Sequence, residues 1–231
     1  DAEQGTTMPM ERIRADAPDL KAAIRGNYEA IAPRYDWVLG APEWIGLREV
    51  RRRLLRHAAG RVLEVAVGTG RNLEFYPPGC ELHAIDFSQA MLRRAAARAA
   101  RLGLAVDLRE MDAELLAFPD ERFDTVVCTL AACSFPNPRQ ALGEMGRVAR
   151  REGRVLLLEH GLSDRPWLRK LQELRAERQF EWLGYRWERE PHRIAEDAGL
   201  RIEEHRRLVL GILHAMVLRP GGERPLAPRA S

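Results

Sequence analysis

The chain has 231 residues, 45% of them hydrophobic and 31% charged, which suits one α/β domain with additions and a real core. Its 37 basic residues nearly balance 34 acidic ones, and a net charge of +3 is too small to imply a nucleic-acid partner. Three cysteines, Cys80, Cys128 and Cys133, form no CxxC pair, which argues against a disulfide framework or zinc site and for a reducing, cytoplasmic setting.

Residues 1–18 are polar and without period, and read as a flexible lead. The opening "DAEQGTTMPM" lacks the layout of a signal peptide, and no apolar run approaches the roughly 20 residues that span a bilayer. A single domain is expected over 19–220, beginning with a helical cap over 19–59. Leu20 to Pro33 has helical period and ends at proline, "RYDWVLGAPEW" is broken by Gly40 and Pro42, and "WIGLREVRRRLLRHAAG" is an amphipathic helix stopped by Gly60. Strands and helices then alternate. "RVLEVAV", "ELHAIDF", "AVDLREMD", "RFDTVVCTLA" and "GRVLLLEHG" read as strands. "RNLEFY", "SQAMLRRAAARAARLG" and "PRQALGEMGRVARREG" read as helices, the second capped by Ser88 and Gly103. A helical insertion over 164–190 and the short helix "PHRIAEDAGL" follow. "RIEEHRRLVLG" and "ILHAMVLRP" then form a hairpin around Gly211, and 221–231 is a flexible tail. The pattern predicts a doubly wound, mostly parallel seven-stranded sheet with a C-terminal antiparallel edge strand.

Ligands of such sheets bind beyond the C-terminal strand ends, so the first strand-to-helix turn, "VGTG", matters most. Gly68 and Gly70 permit close backbone approach. The third glycine of a dinucleotide loop is missing, because Leu73 stands there, and the turn has no Lys-Ser/Thr of a phosphate loop. Instead there are acids: Glu64 inside the first strand, Asp86 at the end of the second, and Asp112 at the end of the third. Acids there suit a ribose diol and a cationic group rather than a phosphate.

"LEVAVGTG", "AIDFSQAMLRRA", "MDAELLAFPDERFDTVVC" and "EMGRVARREGRVLLLEH" resemble, in order over 61–160, the motifs of class I S-adenosylmethionine-dependent methyltransferases. The resemblance is to the branch with quinone C-methyltransferases, bacterial phosphatidylethanolamine N-methyltransferases and small thiol methyltransferases. "YEAIAPRYDWVLG" is similar to the segment that opens many of its members. The resemblance implies a Rossmann-like fold, S-adenosylmethionine as cofactor and S-adenosylhomocysteine as product. It places Glu64 near the methionine end of the cofactor, Ala66, Gly68 and Gly70 in the turn beneath it, and Asp86 on the ribose hydroxyls. Phe87 and Met91 flank the adenine, Asp112 and Ala113 reach its edge, Leu130 lies near the ligand, and Tyr28 and Tyr35 cap the pocket. Ala66 departs from the glycine common in the family.

Each assignment has a plainer reading. Glu64 could pair with Arg61 or Arg71, and Tyr28 and Tyr35 could be core. His160, at the end of a buried strand, is a candidate base, as is the Tyr35 hydroxyl; His160 could equally just hold a loop. His192 and His214 look like ordinary surface or edge residues, and Cys128 and Cys133 like small core hydrophobes. The Trp167–Trp187 segment is an acceptor lid, an interfacial helix, or a packed helix with solvated charges. The basic "LREVRRRLLRH" raises the same question of peripheral membrane contact. The acceptor is small or lipid-like, with a phospholipid amine ahead of a hydrophobic thiol or a quinone precursor. A non-catalytic S-adenosylmethionine-binding module, a dinucleotide oxidoreductase and a nucleic-acid methyltransferase are the rivals. No metal site is expected, and the sequence sets no oligomeric state.

Overall fold

The computed structural model describes residues 12–15, 19–38 and 46–221. Most of the lead, the break at Gly40 and Pro42, and the tail past Gly221 lie outside the described residues. Seven strands form one sheet: β1 (Arg61–Val65), β2 (Glu81–Asp86), β3 (Val106–Glu110), β4 (Phe123–Thr129), β5 (Ala149–His160), β6 (Leu200–Leu208) and β7 (Leu213–Pro220). Their order is β3-β2-β1-β4-β5-β7-β6. The first five pair in parallel, and the expected antiparallel edge is the β6–β7 hairpin, with β7 entering between β5 and β6.

Both faces of the sheet are covered, which explains the near-continuous apolar runs of β4 and β5. Leu63 and Val65 point to one core; Val62 and Glu64, one residue out of phase, point to the other. The described helices are α1 (Leu20–Val38), α2 (Arg48–Leu55), α3 (Gln89–Leu102), α4 (Pro138–Val148), α5 (Pro166–Leu183) and α6 (Pro191–Asp197). Ser88 caps α3 by accepting from the Met91 amide, and Gly103 ends it in left-handed conformation, as expected.

Several boundaries differ from the sequence reading, four of them with a clear physical reason. α1 continues through Pro33 to Val38. An interior proline removes a helix hydrogen bond, but the last turn is pinned by Asp36, which accepts from Thr69, Arg71 and Arg98. α2 stops at Leu55, and Gly60 serves the turn into β1 instead. A side chain there would sit 2.5 Å from Asp124 Oδ2, the acceptor of the Arg61 amide. α4 ends at Val148 because Ala149 already pairs with Phe123 of β4. β3 ends at Glu110, two residues before Asp112.

The lead is also tied down in part. Ile13 is buried with Ile24 and Phe180, and its amide donates to the Glu181 carbonyl at 2.7 Å. His192, His205 and His214 stack on one another between α6 and the β6–β7 hairpin, with His205 Nε2 3.0 Å from His214 Nδ1. His214 is buried, not a surface residue.

Candidate active site

Strand order reverses between β1 and β4, and a cleft of about 650 Å³, open mouth included, lies at their C-terminal ends. It brings together Tyr28, Tyr35, Glu64, Ala66, Gly68, Asp86, Phe87, Met91 and Leu130. A second space of about 400 Å³ adjoins it through Ala66, Asp86 and Phe87 and is lined by Asp112 and Ala113. Two compartments meeting at Asp86 suit, by their lining, a nucleoside joined to a second polar group.

The turn after β1 is shaped by backbone. Gly68, at φ 55°, has open space where a side chain would stand. Gly70 lines neither compartment: a side chain on it would press on Leu73 Cδ1 at 2.8 Å and on the Ala95 backbone. Leu73 is buried in the core and begins only a 3₁₀ turn, Leu73–Phe75. No helix N-terminus is therefore aimed at a pyrophosphate from this turn. Ala66 (φ 56°) and Leu130 (φ 54°) both sit in the left-handed region at the cleft floor. That conformation costs a side-chain-bearing residue roughly 1–2 kcal/mol, which accounts for the family's glycine at the Ala66 position.

Asp86 accepts from the Gly68 amide at 2.8 Å and the Ser88 amide at 2.9 Å. Burial raises its pKa to about 6 against these bonds. Glu64 pairs with neither Arg61 nor Arg71, which bind Glu81 and Asp36. Its carboxylate accepts from Asn72 Nδ2 and from the Tyr76 hydroxyl, each at 2.8 Å. Burial pushes it up to about 7 despite those donors and Arg51.

The cap closes over this floor. Tyr28 lies edge-on to Phe87 at 6.0 Å and 6.3 Å from Tyr35. Burial raises both tyrosines, Tyr35 to about 12, so its hydroxyl stays protonated at neutral pH and acts as a donor rather than a base. Asp112 carries a salt bridge from Lys21 of α1 at 2.6 Å, and Lys21 also reaches Glu114 at 2.7 Å. Glu29 of α1 accepts from the Ala90 amide at the start of α3.

His160 is not among the cleft residues. It faces a smaller space with Cys133, Glu159, Arg189 and Pro191, and stacks on Tyr185 at 5.9 Å. Burial, then Arg51, lower its pKa to about 4, so the ring is neutral at neutral pH, and its Nδ1 has no hydrogen-bond partner among the described residues.

Sequence reasoning missed Arg51, Asp36, Lys21, Asn72, Tyr76 and Glu159. Arg51 was not singled out from the basic run that raised the question of membrane contact, yet it is buried with Leu54 and Leu55 on the inner face of α2. Its helical phase, three and four residues before those leucines, was the available signal. Glu159 carried a signal too, a carboxylate inside "VLLLEH". Its Oε1 accepts from the Ala131 and Ala132 amides, both at 2.8 Å, and so holds the turn that carries Ser134 into the cleft.

A family model described as a methyltransferase domain matches residues 63–157. A phosphatidylethanolamine N-methyltransferase from Cereibacter sphaeroides is 39% identical over 160 residues, covering 67% of this chain and 78% of that protein. A demethylmenaquinone methyltransferase from Deinococcus radiodurans is 36% identical over 152 residues, 62% of this chain and 63% of that protein. Among solved structures, a SAM-dependent methyltransferase from Aquifex aeolicus superposes with a TM-score of 0.55 at 19% identity, covering 77% of this chain and 92% of that one; at that identity it speaks for the fold.

Proposed function

Because the chain belongs to the class I S-adenosylmethionine-dependent methyltransferases, with S-adenosylmethionine as its methyl donor, we propose that its acceptor is a phospholipid amine of the phosphatidylethanolamine type. The observation that carries the reading is an exposed apolar surface. Trp167 is 66% exposed, and the hairpin tip offers Val209 and Leu210 at 62% and 50%. The tip is stitched to the segment before α5, because Leu210 O accepts from Ser163 Oγ and the Asp164 amide. Trp167 and the tip thus ride on neighbouring backbone, with Arg165, Arg169 and Arg206 close by in sequence. Apolar rings among arginines suit the headgroup layer of an anionic membrane. Among the described residues no helix is long and apolar enough to cross a membrane. The name of the Cereibacter relative points the same way.

The donor set fits the cofactor: an acid at the ribose position, a second compartment for the base, and a cleft floor of backbone. When bound, S-adenosylmethionine supplies an electrophilic methyl group for in-line displacement. Asp86 would accept from the ribose hydroxyls, and Phe87 and Met91 would flank the adenine, with Asp112 and Ala113 at its edge. Tyr28 and Tyr35 exclude water and orient the reactants. A lipid amine arrives as an ammonium and must lose a proton. His160 lies outside the cleft with its pKa lowered to about 4, and Tyr35 stays protonated, so on this reading solvent takes that proton.

The test is an acceptor screen with methyl-labelled S-adenosylmethionine, using anionic vesicles with phosphatidylethanolamine, quinone precursors and hydrophobic thiols. Label is expected in the lipid fraction, falling with Trp167→Ala and Leu210→Ser. Label confined to a quinone or a thiol would refute the lipid amine.

A further inference from the structure

β3 ends the sheet. β2 pairs with one side of it, and among the described residues no strand pairs with the other. The Met111 amide, just past β3, donates to the Asp86 carbonyl of β2 at 3.0 Å. In a parallel ladder alternate residues bond the same neighbour, so Asp107 and Arg109, in phase with Met111, turn their amides and carbonyls to β2. Val106, Leu108 and Glu110 turn theirs outward. Such an edge is a template for another strand unless its side chains forbid one.

The side chains here suit one strand in particular, a second copy of β3. Asp107 and Arg109 share a face, pair with each other at 2.7 Å, and are 37% and 49% exposed. A single sign of charge on an edge repels its own copy, whereas an acid and a base two residues apart complement it. Two copies of β3 laid antiparallel about a two-fold axis could be centred on any of its residues. Centring on Asp107 or on Arg109 sets like charges opposite. Centring on Leu108 sets Asp107 against Arg109 of the second copy, and Arg109 against its Asp107. The same register joins the outward-facing groups, Leu108 with Leu108 and Val106 with Glu110, by backbone hydrogen bonds. It leaves the charged residues in the non-hydrogen-bonded pairs, where Cα atoms approach to about 4.5 Å and side chains lie closest. We propose that β3 is the interface of a symmetric dimer of this chain, its sheet continuing across a two-fold axis at Leu108. Beside the strand runs an open trough of about 1170 Å³, walled by Ala96, Ala100, Leu104 and Ala105. Leu102, the last residue of α3, is 42% exposed. The second copy's α3 lies on this same face of the continued sheet, so pairing covers apolar surface that a strand edge alone does not supply.

Sedimentation velocity of the whole chain over a concentration series tests this. The parent is expected to pass from 26.3 kDa to twice that mass. Residue-resolved amide exchange should slow with concentration at Val106, Leu108 and Glu110 and stay constant at Asp107 and Arg109. Asp107→Arg and Arg109→Asp each set like charges opposite, and each should weaken dimerisation by about 10-fold or more. Mixed in equal amounts, the two variants should form a heterodimer at the parent's concentrations, because an edge with two acids then meets an edge with two bases. If either fails to melt cooperatively, the double exchange, Asp107→Arg with Arg109→Asp, takes its place and should dimerise as the parent does. A parent that stays monomeric up to about 1 mM overturns the proposal. So do single variants that dimerise like the parent, or that gain nothing on mixing. Protection of the three outward amides that does not vary with concentration also overturns it, and assigns the edge to another segment of the same chain.

Discussion

At the scale of single residues, the site is built on side chains that hold backbone before they hold ligand. Asp86 ties Gly68 and Ser88 together, and the same carboxylate faces the cleft. Asp86→Ala is expected to weaken S-adenosylmethionine binding by about 100-fold or more, because charge-assisted bonds to both hydroxyls are lost and the turn is released. Asp86→Asn should recover part of this, since one acceptor remains. The carboxylate titrates at about 6 in the free protein, so affinity should also fall as pH drops through that value, because a protonated acid cannot accept from both hydroxyls. Calorimetry at pH 5, 6 and 7.5 checks both. A loss below about 3-fold for the alanine variant would remove Asp86 from the binding set. Ala66 and Leu130 add a second kind of evidence at this scale. Two strained, side-chain-bearing residues on adjacent strand ends persist only where the surroundings over-determine them, and such strain clusters at ligand sites.

At the scale of elements, α1 is a lid latched at both ends. Lys21 and Arg25 reach Asp112, Glu114 and Glu110 below the base compartment, and Asp36 gathers Thr69, Arg71 and Arg98 at the glycine turn. Burial alone would raise Asp36, but the Thr69 hydroxyl, Arg98 and Arg71 outweigh it and leave its pKa lowered. Asp36→Ala should cost about 1–2 kcal/mol, the ion pairs being discounted because the carboxylate is about a third exposed. Amide exchange should quicken along α1 and stay unchanged in β1 and β4. Unchanged exchange in α1 would show that Asp36 is no latch. This element marks where sequence reading stops. Asp86 was legible because a strand end can be counted off a period of two. Asp36 was not, because its partner Arg98 is 62 positions away and nothing local marks the pairing. The same holds for Glu159 and Ala131, 28 apart. The alternation of strands and helices and the Ser88 and Gly103 caps are local and match the structure, whereas Gly60 does not stop α2 and Gly70 lines neither compartment. Helix ends at Val38, Leu55 and Val148 were set by tertiary partners and were not.

At the scale of the whole molecule, burying ionisable groups around the cleft ties stability to pH in two opposing ways. Glu64 and Glu159 are raised to about 7 and Asp86 to about 6, each chiefly by burial. From about pH 4.5 to 7 the folded chain keeps protons on these carboxyls that the unfolded chain has released, so their contribution to stability falls as pH rises. His160 and His214 are lowered to about 4, chiefly by burial. From about pH 6.5 down to 4 the unfolded chain binds protons that the folded one refuses, so their contribution falls as pH drops. The two sets offset each other near pH 5–6, and above about 6.5 only the carboxyls still titrate. Glu159 allows the sets to be separated. The Ala131 and Ala132 amide bonds both fall on Oε1, and its Oε2 is buried without a hydrogen-bond partner among the described residues. Glu159→Gln therefore keeps an acceptor for Ala131 and Ala132 while removing the ionisation. The variant should match the parent near pH 4.5 and exceed it by about 1–3 kcal/mol at pH 8, the gap opening between pH 5 and 7. Urea unfolding of both chains across that range measures the gap directly. A difference that does not vary with pH would mean that Glu159 is ionised at all these values. The Ala131–Ser134 turn would then be held by a buried anion rather than by a carboxyl that keeps its proton near neutrality.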